Sequence, residues 1–279
     1  MEIIPVQYAI VDGAVEEDLL DFLQQNNPPH CCLFPPPVQS DLAAILPYLL
    51  EVTPKVASWL DTKETPWGIY FYSYNKIHLL VQHFRRYLWA SIPEQSKPVL
   101  FRFYDPRNIW ALVNVMTPFE LYKFIEPVSK IITQYPEERR EEDFFKLRQS
   151  GKRNITGKNN AILTFTQRQY DQLNRQAQKN YIKTLELYIH NYYIKKSSLP
   201  PEKLDQICHC AENYFYFCQS LNITDDRSIR GLIHLLLENE IYNNADIPDE
   251  WINILNNNET AIHRQVESLL LQEMGFIPQ

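Results

Sequence analysis

Glycine is scarce in this sequence, and the few glycines do not cluster. There are six in 279 residues. Loops that bind nucleotide phosphates are built from closely spaced glycines, because only glycine lets the backbone approach the phosphates so closely. Gly-Lys pairs occur at 151–152 and 157–158, but neither is followed by the Ser or Thr of a P-loop. The sequence therefore argues against nucleotide hydrolysis and dinucleotide binding.

The spacings of common hydrolytic and metal sites are also missing. No serine lies in a Gly-x-Ser-x-Gly segment, and none of the seven histidines belongs to a His-Glu-x-x-His segment. Cys208, His209 and Cys210 fall in a predicted helix, where neighbouring side chains point about 100° apart and cannot converge on one ion. We predict no metal, no cofactor and no catalytic residue, while a site assembled from distant residues stays open.

Signals for export and membrane insertion are lacking as well. The chain begins Met-Glu-Ile-Ile-Pro, without the basic start and apolar core of a signal peptide. No apolar run approaches the roughly 18 residues that cross a bilayer. The five cysteines are odd in number and two of them are adjacent, which favours free thiols in a reducing compartment. A cytoplasmic location with no membrane partner is predicted.

The balance of charge disfavours nucleic acid as a partner. The formal net charge is −7 and the isoelectric point is about 5.6. A long predicted helix at 166–195 interleaves lysines and tyrosines, as some nucleic-acid binders do. Tyrosines at helical spacing are more simply explained as a core face with solvated lysines beside them. Residues 136–200 carry a net +6 and 201–279 a net −9, so this basic helix is expected to pack beside acidic helices, with a partner-facing basic stripe as the alternative.

Length and periodicity predict two domains. Over 1–135, short β-like runs alternate with helical spacing, which predicts an α/β domain with a short, mostly parallel sheet flanked by helices. Residues 136–160 shift to charge and polarity and are interpreted as a linker. Residues 161–279 show helical spacing only and are predicted to form an all-helical domain.

Individual elements of the first domain follow from composition. Strands are predicted at 8–11, 31–34, 67–73 and 99–104, where β-forming residues dominate. Helices are predicted at 76–89 and, as short pieces interrupted by prolines, at 42–52 and 56–60. Thr117 and Glu120 have the spacing of a capping box, which predicts another helix start.

The segment around Arg102 is the most distinctive part of the chain. An arginine inside the apolar run 99–104 must face solvent or be paired, because an unpaired buried charge costs several kcal/mol. Asp12, before the turn residue Gly13, and Asp105 are the candidate partners. Asp105 and Pro106 are also predicted to cap and open a helix.

The same residues allow a functional interpretation. Asp12, Arg102, Asp105 and Arg107 at strand ends could form a phosphate or carboxylate site of an α/β enzyme or ligand-binding protein. The structural interpretation is favoured, since capping, turn formation and an Arg-Asp pair account for each residue.

Five segments together resemble a known family in order and spacing: YAIVDG at 8–13, LPYL at 46–49, WGI at 67–69, HFRRYL at 83–88 and LFRFYDPR at 100–107. The family is that of type VI secretion effector adaptor-chaperones of the Tap or TEC type, and the resemblance covers about residues 7–130. LNITDDR at 221–227 and WINIL at 251–255 are similar to the helical extension often appended to this domain.

The resemblance implies a bacterial cytoplasmic protein that is not an enzyme. It would bind a cognate toxic effector and promote its loading onto the VgrG spike protein, and the family offers no catalytic residues to carry over. Candidate contacts with a partner are the aromatic and arginine residues of the first domain, which make good interface anchors. They are Tyr70, Tyr72, Arg85, Trp89, Arg107 and Trp110.

Overall fold

The protein is described by a computed structural model that covers residues 4–93, 95–135, 139–149, 162–196, 210–257 and 260–278. The chain divides into two compact units, 1–177 and 178–279. Of the predicted linker at 136–160, residues 139–149 are described, and they form a short strand and a short helix. The remaining residues of that segment lie outside the described ones.

Two sheets form the first unit. The larger has the strand order β2-β3-β1-β4-β7-β8, and the smaller has the order β6-β5-β9. The strands are β1 (Val6–Asp12), β2 (His30–Cys32), β3 (Pro47–Glu51), β4 (Gly68–Ser73), β5 (Trp89–Ser91), β6 (Val99–Leu100), β7 (Lys130–Thr133), β8 (Arg140–Glu142) and β9 (Leu163–Thr164).

The prediction of a mostly parallel sheet is wrong. Every neighbouring pair in the six-stranded sheet is antiparallel, and β1 pairs in this way with both β3 and β4. Tyr8, for example, lies opposite Glu51 of β3 and Phe71 of β4. The alternation of strands and helices in the sequence shows where the elements lie along the chain. It does not show the direction of each strand, which depends on the end of the sheet at which the preceding connection finishes.

Burial of both sheet faces gives the strands of this sheet a sequence pattern like that of parallel strands. Tyr8 and Ile10 of β1 belong to one hydrophobic core, whereas Ala9 and Val11 belong to a second core on the opposite face. A strand buried on both faces reads as a continuous apolar run, which is the usual appearance of parallel strands.

Helices cover both faces of this sheet. Residues of α4, α5 and α6 lie in the core that contains Tyr8, and residues of α1 and α3 lie in the core that contains Ala9. The helices of the unit are α1 (Leu19–Asn26), α2 (Ser40–Ala43), α3 (Pro54–Leu60), α4 (Ile77–Arg85), α5 (Ile109–Val115), α6 (Pro118–Phe124), α7 (Phe145–Gln149) and the first part of α8 (Gln167–Lys196).

Of three predictions for single elements, one is confirmed and two need correction. The capping box is confirmed, because the Glu120 amide donates to Thr117 Oγ1 at 3.3 Å and the Thr117 amide donates to Glu120 Oε2 at 2.8 Å. The predicted helix at 42–52 is wrong for its second half, which forms β3 between β1 and β2. The predicted strand at 99–104 ends at Leu100, after which Phe103 and Tyr104 turn into the core.

The second unit consists of helices in its described residues. After the remainder of α8 come α9 (Cys210–Ser220), α10 (Asp226–Glu238), a 3₁₀ turn (Asn244–Asp246), α11 (Asp249–Leu255) and α12 (Ile262–Met274). They enclose a core of their own, in which α10 is the most buried helix. Asp225 caps α10 by accepting the Ser228 amide at 2.8 Å.

Tyrosines of α8 join the basic and acidic parts of this unit. The hydroxyl of Tyr181 donates to Asp226 at 2.8 Å, and that of Tyr192 donates to Glu238 at 2.7 Å. Both carboxylates belong to α10. Lys179, Lys183 and Lys195 of α8 are exposed. Phenol hydroxyls therefore make hydrogen-bonded contacts between the oppositely charged segments.

His83 of α4 is buried in a defined tautomer. Its Nε2 lies 2.8 Å from the carbonyl oxygen of Phe124, which can only accept, so Nε2 carries the proton. Nδ1 then accepts from Arg86 Nη2 at 2.8 Å. Burial lowers the pKa of His83 to about 4, and the nearby Arg86 lowers it further, whereas the Phe124 carbonyl and Glu126 oppose the shift.

Lowering the pH should destabilise the fold through His83. An unfolded histidine titrates near about pH 6.5, so the unfolded chain binds the proton first and stability falls as the pH drops from there toward 4. Urea unfolding at pH 7 and at pH 4.5 should show an excess loss of about 2 kcal/mol in the wild type over the His83→Gln variant. Glutamine keeps a donor for the Phe124 carbonyl but does not titrate. Equal losses in the two proteins would contradict this assignment.

Gly68 should be the least replaceable glycine of the sheet. A Cβ there would lie 1.9 Å from the carbonyl oxygen of Ile10, at a φ of 153°. We expect Gly68→Ala to cost about 3 kcal/mol or more in urea unfolding, since both overpacking and backbone strain oppose it. Gly275→Ala is the matched control, because its φ is 77° but its Cβ would meet nothing within 4 Å. A similar loss of stability in both variants would show that backbone strain at positive φ, and not the close contact with Ile10, accounts for the cost.

Candidate functional site

Asp12 ends β1 and is held on several sides. Its Oδ2 accepts a hydrogen bond from Arg102 Nη2, and its Oδ1 accepts the amide of Ala14 at 3.0 Å. Its own amide donates to the carbonyl of Trp67 at 2.8 Å. The pairing that the sequence required for Arg102 is therefore made with Asp12, ninety residues away.

Gly13 is needed because two chain segments meet at the turn after β1. A Cβ at this position would lie 2.4 Å from the carbonyl oxygen of Ala44 and 2.6 Å from that of Leu46. The Gly13 amide donates to the same Leu46 carbonyl at 3.1 Å. The turn is thus fixed against the chain that enters β3.

Asp105 organises the turn before α5. Its Oδ1 accepts both the backbone amide and the Nε of Arg107 at 2.9 Å, and its Oδ2 accepts Arg107 Nη2 at 2.7 Å. The prediction that Asp105 caps a helix opened by Pro106 is wrong, because α5 begins at Ile109. The Asp105 carboxylate instead binds the backbone and side chain of Arg107, and it thereby closes a turn at residues 105–107, just before α5. The Asp105 carbonyl still accepts the Ile109 amide at 3.0 Å and leads the chain into α5.

The structure brings these charged residues together in one balanced cluster. Burial raises the pKa of the Asp12 carboxyl, Asp105 raises it further, and Arg102 and the Ala14 amide oppose the shift. Hydrogen bonding to Asp105 raises the pKa of Arg107. Two aspartates face two arginines, and the charges are matched within the cluster.

This arrangement leaves little capacity for an added anion. Both Asp12 and Asp105 are buried, while the Arg102 and Arg107 side chains are 39% and 31% exposed. An incoming phosphate would have to compete with a carboxylate already bound to each arginine. Among the described residues, the buried Nε of Arg102 has no hydrogen-bond partner. The cluster can brace the end of β1 against the loop that precedes α5.

Of the predicted partner contacts, Trp89 lies on the surface. Its side chain is 41% exposed, and Leu100, its cross-strand neighbour between β5 and β6, is 47% exposed. Phe34 contacts the Trp89 ring edge to face at a centroid distance of 6.3 Å. Phe34, Trp89 and Leu100 form a surface that we call the β5–β6 apolar face.

The other aromatic candidates lie deeper. Tyr70 is buried and packs edge to face against Trp67 at 4.8 Å. Trp110 is buried, and its indole N–H donates to Thr133 Oγ1 at 2.8 Å. Tyr72 is half-buried within β4. For these three residues a contact with a partner stays a prediction, and the structure shows their packing inside the unit.

Arg85 and Arg107 both hold internal carbonyl or carboxylate groups. Arg85 donates from Nε to the carbonyl of Leu33 at 2.9 Å, and from Nη2 to those of Cys32 and Phe34 at 3.2 Å. It thereby fixes the chain that leaves β2, an edge strand. Sequence reasoning missed this role, because nothing in the spacing links residues fifty positions apart.

Gln169 was also missed. This buried side chain accepts the Thr166 amide at 2.9 Å and donates to the Val115 carbonyl and to Glu120 Oε2, both at 3.0 Å. The first turn of α8 is thereby fixed to the N-terminus of α6. The only sequence signal is the Thr-x-x-Gln spacing, which is a capping-box pattern.

The described cysteines are free thiols, at Cys31, Cys32, Cys210 and Cys218. Burial raises the pKa of Cys218 to about 12, which keeps this thiol protonated. Cys208 and His209 lie outside the described residues. Among the described ones, no three His, Cys, Asp or Glu side chains are grouped so that they could hold a metal ion. No described helix combines the length and apolar composition that crossing a bilayer requires.

Comparison with known proteins gives one result for the first unit. Residues 7–123 match a protein-family model described as "Domain of unknown function (DUF4123)". The match includes Asp12, Arg102, Asp105 and Arg107 and ends before the second unit. Neither the curated proteins nor the solved structures give a match. Residues 7–123 are therefore similar to a domain that is associated with the effectors of type VI secretion systems.

Proposed function

We propose that this protein is a bacterial cytoplasmic adaptor-chaperone rather than an enzyme. It binds a cognate type VI effector and promotes the loading of that effector onto the VgrG spike protein. The observation that carries the proposal is the match of residues 7–123 to a domain associated with such effectors. The geometry of the matched segments supports it.

The five distinctive sequence segments form one hydrogen-bonded unit. The end of β1 contacts three of the others, through Asp12 with Trp67 and with Arg102, and through Gly13 with Leu46. The remaining segment joins through the Phe101 amide, which donates to the Leu88 carbonyl at 2.8 Å. Distinctive sequence segments of this kind can contribute catalytic groups, or they can stabilise the fold. Here the segments are joined to one another by hydrogen bonds, which favours a role in stabilising the fold.

A scaffold of this kind leaves recognition to its surface. The β5–β6 apolar face presents Trp89 and Leu100, and it lies beside the loop that Arg85 fixes. Exposed tryptophan is enriched among the residues that dominate binding energy at protein interfaces. We propose that the effector contacts this face.

We expect a type VI effector to be encoded beside this protein, and co-expression with that effector tests both parts of the proposal. The two proteins should copurify, and VgrG should join them in a three-component complex. The Trp89→Asp and Leu100→Asp variants should each weaken the complex about tenfold or more, because a carboxylate would be desolvated in an apolar contact. Tyr74→Asp is the control, since Tyr74 is 62% exposed in the same unit but outside this face.

Two outcomes would contradict the proposal. Failure of the wild-type protein to bind the neighbouring effector would count against the adaptor function itself. Full binding by Trp89→Asp and Leu100→Asp, with unchanged melting temperatures, would exclude the β5–β6 apolar face while leaving the function standing.

The charged cluster should behave as a brace. Arg102→Ala leaves the buried Asp12 without its partner and should cost about 2 kcal/mol in urea unfolding, discounted for the partial exposure of the arginine. Asp12→Asn in the same background should recover part of the loss. Arg139→Ala, which removes an exposed partner of Glu141, should change stability by less than about 0.5 kcal/mol.

The alternative of an enzyme or ligand-binding protein with a phosphate or carboxylate site around Arg102 and Asp105 makes the opposite prediction. Arg102→Ala or Asp105→Asn would then abolish binding or activity at an unchanged melting temperature. Inorganic phosphate would raise the melting temperature of the wild type but not that of Arg102→Ala. Such results would show that Arg102 and Asp105 form a ligand site and that their main role is not to stabilise the fold.

A further inference from the structure

The second unit has a groove of about 520 Å³ on its surface, outside the segment that matches a known family. One wall is a single face of α8, on which Leu187, Tyr188, Asn191, Tyr192 and Lys195 follow one another at helical spacing. The facing side is formed by Arg230 and His234 of α10 and by Phe276 and Pro278 near the end of the chain. We call it the α8–α10 groove.

Side chains that contact one another form the floor of this groove. The Tyr188 hydroxyl lies 3.2 Å from His234 Nδ1, and the His234 ring packs edge to face on Tyr192 at 5.1 Å. The Arg230 guanidinium lies over the Tyr188 ring at 5.5 Å. These contacts hold the floor in place before a ligand arrives, which reduces the entropy lost on binding.

Apolar side chains line the rim. Leu187 is 57% exposed and Phe276 is 52% exposed. Large apolar groups that frame a polar-edged groove are typical of interaction sites. A ligand that covers both needs an apolar side chain of its own.

One basic side chain of the groove has no carboxylate partner among the described residues, although the unit as a whole is acidic. Residues 178–279 hold eight lysines and arginines against fourteen aspartates and glutamates, a net charge of −6. The residues that line the groove include Lys195 and Arg230. The Glu238 carboxylate contacts the floor, where it accepts from the Tyr192 hydroxyl at 2.7 Å and lies 3.6 Å from His234 Nε2. Arg230 pairs with Asp226 at 2.9 Å, so its charge is partly neutralised. Lys195 is exposed, and no described carboxylate lies within ion-pair distance of it.

The length of the groove favours a peptide over a small ion. Its wall on α8 extends from Thr184 to Lys195, which at 1.5 Å per residue spans about 16 Å. About five residues of extended chain cover that distance. A free anion would use Lys195 alone and leave the apolar rim uncovered.

We propose that the α8–α10 groove binds a short acidic peptide segment of a partner protein. An aromatic or aliphatic side chain of the segment packs between Leu187 and Phe276, on the floor formed by Tyr188 and Tyr192. A neighbouring carboxylate pairs with Lys195. This site is separate from the β5–β6 apolar face and does not depend on the proposed role in effector loading.

Two pentapeptides test the chemistry with the full-length protein. The probes are acetyl-Glu-Phe-Glu-Leu-Glu-amide and its counterpart with glutamine in place of each glutamate. They are titrated by isothermal calorimetry at an ionic strength of about 0.1 M, where the net negative charge of the unit is screened beyond about 10 Å. The acidic peptide should bind about two- to fivefold more tightly than the glutamine peptide, since only it can pair with the exposed Lys195. Added salt should reduce that preference.

Charge reversal at two lysines of α8 distinguishes binding in the groove from a general electrostatic effect of the protein's net charge. Lys195→Glu should weaken binding of the acidic peptide about tenfold or more and remove its preference. Lys183→Glu is the matched control, because Lys183 is exposed on the same helix, outside the groove, and its replacement changes the net charge equally. It should change binding less than about twofold. Leu187→Asp should also abolish binding, at an unchanged melting temperature.

Several results would overturn the inference. These are no binding of the acidic peptide, equal binding of both peptides, and equal losses in Lys195→Glu and Lys183→Glu. A wild-type dimer that becomes monomeric in Lys195→Glu would assign the groove to a second copy of this chain instead. None of these outcomes bears on copurification with the effector, so the two proposals can fail separately.

Discussion

Pairing of Arg102 with Asp12 is the contact on which the arrangement of the first unit depends. Asp12 ends the central strand β1, and its carboxylate is buried. A buried carboxylate destabilises a fold unless hydrogen bonds and an opposite charge compensate for lost hydration, and here an arginine and a backbone amide do so. That pairing holds the loop after β6 against the end of the sheet, where the chain segments leading to β3 and β4 also converge. Asp105 and Arg107 then shape the same loop into the turn that precedes α5.

Because the carboxylates of the cluster are already bound to its arginines, we place the proposed recognition on other surfaces. The two units offer surfaces of different chemistry. The β5–β6 apolar face in the first unit combines Trp89 with Leu100 on a small sheet. The α8–α10 groove in the second unit combines an aromatic floor with a lysine. An apolar face gains affinity from burial, whereas a charged side chain at the edge of a groove adds selectivity. The two proposed sites would therefore take different segments of partner proteins.

Tyrosine is the residue that lets the second unit combine opposite charges. Tyr181 and Tyr192 bury part of their rings while their hydroxyls donate to carboxylates of α10. A lysine in the same positions would have to lose hydration and side-chain entropy to make an equivalent contact. Lys179, Lys183 and Lys195 of α8 are exposed, and Lys195 lies at the end of the α8–α10 groove.

What the sequence determined by itself is what neighbouring residues decide: the strand at β1, the capping box of Thr117 and Glu120, and the long helix α8. It also required a partner for Arg102, since burial of an unpaired arginine is costly, and it named Asp12 as a candidate. Only the tertiary structure decided that the large sheet is antiparallel, that Pro47–Glu51 is a strand, and that Asp105 closes a turn instead of capping a helix. Strand direction, the burial of a segment on both faces and the competition of Arg107 for a carboxylate depend on residues that meet only in the folded chain, so no local pattern could have revealed them.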